Sequence, residues 1–132
     1  MEATRQTIER AFLTAHLLTG DLQVAEEVTS RAIESWDPDQ ESEEQLFDTV
    51  LAASARRRGK WQASRRLPCE LEPVLLLSPH LRRCYVLRIL VGLPAQESAR
   101  LLGISAARVE SNTCAALQSL AANVQSEMKR AA

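Results

Sequence analysis

The chain has 132 residues, 45% hydrophobic and 25% charged, with a formal net charge of −1, values expected of a soluble globular protein with one domain or two small ones. No apolar run approaches the ~20 residues a membrane span needs, and no basic-then-apolar leader opens the chain, so a cytoplasmic protein without membrane association is expected. The small net charge conceals a partition: residues 1–51 carry three basic and twelve acidic side chains, residues 56–66 six basic and no acidic, and residues 67–132 seven basic and five acidic.

In chain order, the apolar spacing of Ile8, Ala11, Phe12, Ala15 and Leu18 predicts an amphipathic helix from Met1 to Thr19, closed by Gly20. Asp21 is placed to cap a second helix reaching about Trp36, with Val24, Val28, Ala32 and Ile33 on its buried side. Asp37-Pro38-Asp39 ends it, because a residue before proline is pushed out of the helical region. A third helix, from about Ser42 to Arg58, is expected to bury Leu46, Phe47, Val50, Leu51 and Ser54. Gly59 to Pro68 reads as a linker, and a short helix around Leu71–Leu77 follows. Ser78-Pro79 opens a further helix that runs to Val91, buries Leu81, Tyr85, either Leu87 or the stem of Arg88, and Ile89, and stops at Gly92. The fold class is therefore all-α, in two small helical domains of residues 1–58 and 71–132 joined by a basic linker of residues 59–70.

Candidate chemistry is sparse. Cys69, Cys84 and Cys114 have no CxxC spacing and read as reduced, packed thiols. His16 and His80 lack partners at ligand spacing. No nucleophile–base pair, phosphate loop or metal cluster is evident, so neither an enzyme nor a cofactor is expected. The run RRRGKWQASRR offers Arg56, Arg57, Arg58, Lys60, Arg65 and Arg66 to phosphates or to an acidic protein; it reads equally well as a solvated linker. Trp61 within it can stack on an exposed base, for about 1–3 kcal/mol, or cover the edge of a core.

The stretch LPAQESARLLGISAARVESNTCAALQSL, Leu93–Leu120, reads as a helix-turn-helix. Ala99, Leu102 and Gly103 suit a short first helix and its turn, and Ser105 is placed to cap the second. That second helix keeps an apolar stripe at Val109, Ala116, Leu117, Leu120 and Val124, with Ala107, Arg108, Glu110, Ser111 and Asn112 facing outward. A helix entering a major groove normally brings several Lys or Arg to the phosphates; this one brings Arg108 beside Glu110.

Taken together, AFLTAHLLTGDLQVAEEV (Ala11–Val28), LFDTVLAASARRR (Leu46–Arg58) and LSPHLRRCYVLRILVGLPAQESARLLGIS (Leu77–Ser105) resemble bacterial sigma factors of the extracytoplasmic-function type, regions 2 and 4. The resemblance implies a region 2-like three-helix bundle followed by a region 4-like helix-turn-helix domain. It further implies binding to core RNA polymerase and to promoter DNA, region 2 reading the −10 element and region 4 the −35 element. On this resemblance Glu26, Glu27 and Arg31 lie in the helix that docks on polymerase. The basic run with Trp61 lies near the −10 strand, and Ser105, Ala107, Arg108, Ser111 and Asn112 lie at the −35 element.

The chain departs from the family at several of these positions. Glu110, Ser111 and Asn112 follow Val109 where a basic residue, a serine and an arginine are usual, and Ala115 and Leu117 stand where arginines recur. Losing several phosphate contacts can cost ~10³-fold in affinity. Thr29, Ser30 and Arg31 replace a valine-glutamine-glutamate, and Pro94 replaces the capping serine or threonine. The ten residues from Gly59 to Pro68 span at most ~35 Å, barely the ~34 Å of one duplex turn. Three roles therefore remain open at this point: a divergent sigma factor with weak −35 readout, a sigma-like interaction protein that captures an anti-sigma factor or competes for polymerase, or a one-domain or dimeric helix-turn-helix regulator outside the sigma group.

Overall fold

A computed structural model describes residues 2–57 and 71–131, with side chains described for residues 4–57 and 71–124. The basic-run residues Arg58, Lys60, Trp61, Arg65 and Arg66, together with Cys69 and the whole of the expected linker, lie outside the described residues. Those that are described form helices and turns with no strand, so the fold is all-α as expected. The chain divides into two units, residues 1–64 and 65–132.

In the first unit, α1 (Glu2–Thr19) packs on both α2 (Leu22–Ser35) and α3 (Glu43–Arg56). Asp21 caps α2 as expected, its carboxylate accepting from the backbone N–H groups of Gln23 and Val24 at 2.9 and 3.3 Å. Ser42 and Gln45 form a reciprocal capping box at the start of α3, which satisfies two otherwise orphaned N–H groups. The hydroxyls of Thr4 and Thr7 donate to the Glu43 carboxylate, fastening the beginnings of α1 and α3 together. The Arg10 guanidinium lies 4.3 Å from the centre of the Phe47 ring, a second tie between the same helices. Inside sit Ala11, Ala15, Leu18, Ala25, Val28, Leu46, Phe47, Val50 and Leu51.

Two expectations for α2 are corrected. Ile33 is exposed and Val24 only half-buried, while Ala25 and Thr29 are buried. The face turned inward is set by small residues that let α1 and α3 approach, and an apolar count weighs Ile33 above Ala25. The helix also ends one residue early: Trp36 is already extended (φ −83, ψ 130), two residues before Pro38, and its indole N–H donates to the Ser42 carbonyl at 3.0 Å.

The second unit begins with α4 (Glu72–Leu75), followed by α5, which is α-helical over Pro79–Tyr85 and then π-helical over Val86–Val91. The wider turn shifts the side-chain phase. Arg82, Cys84, Val86 and Leu87 are the buried positions; Ile89, inside the wider turn, is exposed, and Leu81 and Tyr85, in the regular turns before it, are half-buried, contrary to expectation. The helix ends at Gly92, whose φ of +86 suits a residue without Cβ, and the Arg88 guanidinium donates to the Leu93 carbonyl at 2.9 Å. Then come α6 (Ala95–Leu102) and α7 (Ala106–Ala131), which pack around Cys84, Ala99 and Val109. Along α7 the buried stripe is Val109, Thr113 and Ala116 with Leu120 half-buried; Leu117 and Val124, expected inside, are exposed.

His16 is buried with its ring 6.5 Å from that of Phe12, and His80 is exposed. Among the described residues no group of three or more His, Cys, Asp or Glu is placed to hold a metal, and no helix is long and apolar enough to cross a membrane.

The two described cysteines differ sharply. Cys84 is buried, and burial pushes its thiol above the usual range, partly offset by the hydrogen bond from Asn112; Cys114 is exposed. Iodoacetamide at mildly alkaline pH is therefore expected to modify Cys114 in the native chain and Cys84 only after denaturant is added. Peptide mass spectrometry reads this directly, and prompt native labelling of Cys84 would contradict its packed position.

Candidate nucleic-acid interface

The described residues among those expected to make contacts fall in two places, one in each unit. In the first, α2 and the end of α3 flank an open groove of about 360 Å³. Val28, Ala32 and Ala53 form its apolar floor, and Arg31, Arg56 and Arg57 its cationic rim. The Glu27 carboxylate is held between two of these arginines, 3.0 Å from Arg31 and 3.1 Å from Arg57. The Arg31 contact follows from i, i+4 spacing on one helix face and is readable in the sequence. The Arg57 contact joins residues 30 positions apart and depends on how α2 and α3 pack.

This geometry separates residues that the sequence treats alike. Glu26 is exposed, whereas Glu27 is committed to an internal ion triad, so the acidic pair does not offer two equivalent carboxylates to a partner. Arg56 is exposed and makes no ion pair with the described residues; Arg57 is half-buried and paired. With three guanidinium groups against one carboxylate, the rim remains cationic.

In the second unit, α6 ends at Gly103 in the left-handed region, φ +70, and both Gly103 and Ile104 donate backbone N–H groups to the Ala99 carbonyl at 2.8 and 3.1 Å. Ser105 then caps α7, its hydroxyl oxygen accepting from the Arg108 N–H at 3.1 Å, as expected from the sequence. This tight turn presents Ala107, Arg108, Glu110 and Ser111 outward. Asn112 is corrected: it is half-buried, and its amide N–H donates to the Cys84 sulfur at 3.6 Å, so it braces α7 against α5 rather than facing out. From Ala106 to Val124 the charged side chains are Arg108 and Glu110, and their opposite signs leave this end of the helix close to neutral.

A Cβ at Gly103 would meet nothing within 4 Å, so the glycine serves the backbone conformation rather than close packing. Gly103→Ala is expected to lower stability by about 1–2 kcal/mol through the left-handed penalty, and Gly103→Asn by clearly less. Urea melts of the two variants check this ordering; equal stability of Gly103→Ala and the parent would contradict the turn as described.

Compared with protein-family models, curated proteins and solved structures, the chain gave no match.

Proposed function

We propose that this chain is a divergent sigma-type initiation factor: it binds core RNA polymerase through the first helical unit and promoter DNA mainly through the basic run that begins at Arg56. The observation that carries the reading is the gathering of Arg31, Arg56 and Arg57 on one groove of the first unit, where the run starts, which puts cationic side chains on that unit's surface. In this reading the two units correspond to a region 2-like bundle and a region 4-like helix-turn-helix domain. The groove rim and the following basic residues hold the phosphates near the −10 element. Ser105, Ala107, Arg108 and Ser111 give a weak −35 readout, because a nearly neutral helix end gains little from counterion release. The protein works in the cytoplasm with polymerase and has no catalytic role of its own.

The test is transcription by core polymerase reconstituted with the purified chain over sheared genomic DNA, with RNA ends sequenced. Start sites sharing a common upstream motif are expected, absent with core enzyme alone. Output identical to that of core enzyme alone would remove the reading.

A second reading is favoured by a specific observation: from Ala106 to Val124 the charged side chains are Arg108 and Glu110, whose opposite signs leave α7 there with no net charge to offer a phosphate backbone. Here the chain is a sigma-like interaction protein that captures an anti-sigma factor or competes for polymerase without engaging DNA. It requires protein binding with no duplex binding even at low salt.

A further inference from the structure

The groove between α2 and α3 changes in chemistry from one end to the other. The two helices are joined by a short connection, which the hydrogen bond from the Trp36 indole to the Ser42 carbonyl spans, and they run antiparallel. The Glu27–Arg57 pair at 3.1 Å sets their register: equal steps from it bring Val28 level with Arg56, and Ser35 level with Thr49. One end therefore gathers Arg56, Arg57 and the Arg31 guanidinium, which reaches back to the same Glu27 carboxylate at 3.0 Å. Ser35 and Thr49 form the other end, about 10 Å along the axis, and Val28, Ala32 and Ala53 floor the space between.

The charge at each end selects what fits there. Three guanidinium groups against one carboxylate leave two positive charges in excess at the arginine end. A phosphate monoester, at about −1.5 to −2 near neutral pH, matches that excess; a phosphodiester, with a single charge, matches half of it. At the far end Ser35 and Thr49 already donate their protons, to the carbonyls of Ala32 at 3.2 Å and Gln45 at 2.9 Å, so their oxygens are left to accept. Their chain neighbours Glu34 and Asp48 are exposed carboxylates, and α2 ends here with the negative pole of its dipole. This end repels an anion and favours an N–H donor. A nucleic-acid strand laid along the groove would carry phosphate past both ends, and an acyl anion would set its apolar tail against acceptors. Both ends are satisfied by a small molecule with a phosphate monoester, an apolar flat middle and an amino group at the opposite extremity. The groove's 360 Å³ suits it, lying at the small end of the ~300–1,000 Å³ typical of ligand sites.

We infer that this groove is a site for a free nucleoside 5′-monophosphate whose base carries an exocyclic amino group. Arg31, Arg56 and Arg57 hold the phosphate, the sugar and base lie over Val28, Ala32 and Ala53, and the amino group donates to the Ser35 and Thr49 oxygens. The site requires neither polymerase nor promoter, and the nucleotide competes with any strand phosphate for the same arginines.

The test is a titration of the full chain alone with adenosine 5′-monophosphate, followed by calorimetry and by nuclear magnetic resonance of the alanine methyl groups. Saturable one-to-one binding in the submillimolar range is expected, with the Ala32 and Ala53 methyl signals shifted. Inosine 5′-monophosphate, which lacks the amino group, adenosine, which lacks the phosphate, and inorganic phosphate, which lacks the body, should each bind at least about tenfold more weakly. Arg56→Ala should weaken binding about tenfold with unchanged helical circular dichroism, while Arg108→Ala in the second unit leaves it unchanged. Inorganic phosphate binding as tightly as the nucleotide would overturn the inference, as would no saturation at millimolar nucleotide or binding that leaves Ala32 and Ala53 unmoved. So would equally potent displacement of the nucleotide by an acidic peptide, or by a short single strand without a terminal phosphate. None of these results bears on polymerase binding, so this inference and the initiation-factor reading fail separately.

Discussion

Leu18→Ala is expected to cost the first unit about 3–4 kcal/mol and to leave it largely unfolded, the largest stability effect of any single truncation proposed for this chain. Leu18 is fully buried in the last turn of α1, the helix that packs on both α2 and α3. Its removal leaves a cavity whose walls belong to helices already pinned elsewhere. The capping box at Ser42 and the Thr4, Thr7 and Glu43 contacts fix the start of α3, so collapse into the void is restricted. A unit of about 60 residues has about 3–9 kcal/mol in total, so the loss is a large share of the whole. The matched control is Ile33→Ala on α2, where the side chain is 38% exposed; less than about 1 kcal/mol is expected there. Urea melts followed by far-ultraviolet circular dichroism compare the two, and equal midpoints would contradict the assignment of Leu18, rather than Ile33, to the core.

The second large effect concerns DNA. Replacing Arg56, Arg57 and Arg58 together by alanine is expected to abolish promoter-directed transcription and to lower the slope of log affinity against log salt by about 2–3, one unit for each lost phosphate contact. The single variants should not be equal. Arg56 is exposed and makes no ion pair with the described residues, so its full charge is available to a phosphate. Arg57 is partly committed to Glu27 at 3.1 Å, so Arg57→Ala should change the salt slope less while destabilising the α2–α3 contact by up to about 1 kcal/mol. Glu27→Gln should move the other way, releasing both Arg31 and Arg57 and steepening the salt dependence. Fluorescence anisotropy on a duplex with an unpaired central segment reads all of these; an unchanged slope in the triple variant would remove the basic run from the interface.

Much of the fold was legible in the sequence because its punctuation is local. Asp21, Ser42, Gly92, Gly103 and Ser105 act through hydrogen bonds and backbone angles within five residues of themselves, and each stands at an end or turn the sequence marks. The errors arose where packing between helices decides. Ala25 displaces Ile33 from the core because the close approach of neighbouring helices favours the smaller side chain. The π-helical Val86–Val91 segment breaks the 3.6-residue period that places Ile89 inside. On α7 the apolar residues divide between two adjacent stripes, and a count of apolar positions cannot tell the covered stripe from the exposed one. At the candidate interface the residue types were readable, but their commitments were not: Glu27 bridges Arg31 and Arg57, and Asn112 turns inward to Cys84. Ion-pair geometry across 30 residues has no sequence period to reveal it.

The most direct measurement is a competition titration in which the purified chain displaces a fluorescently labelled sigma factor from core RNA polymerase. Displacement at submicromolar concentration is expected, weakened by charge reversal at exposed Glu26. No displacement at concentrations well into the micromolar range would contradict polymerase binding, and with it both the initiation-factor reading and the polymerase-competitor form of the second.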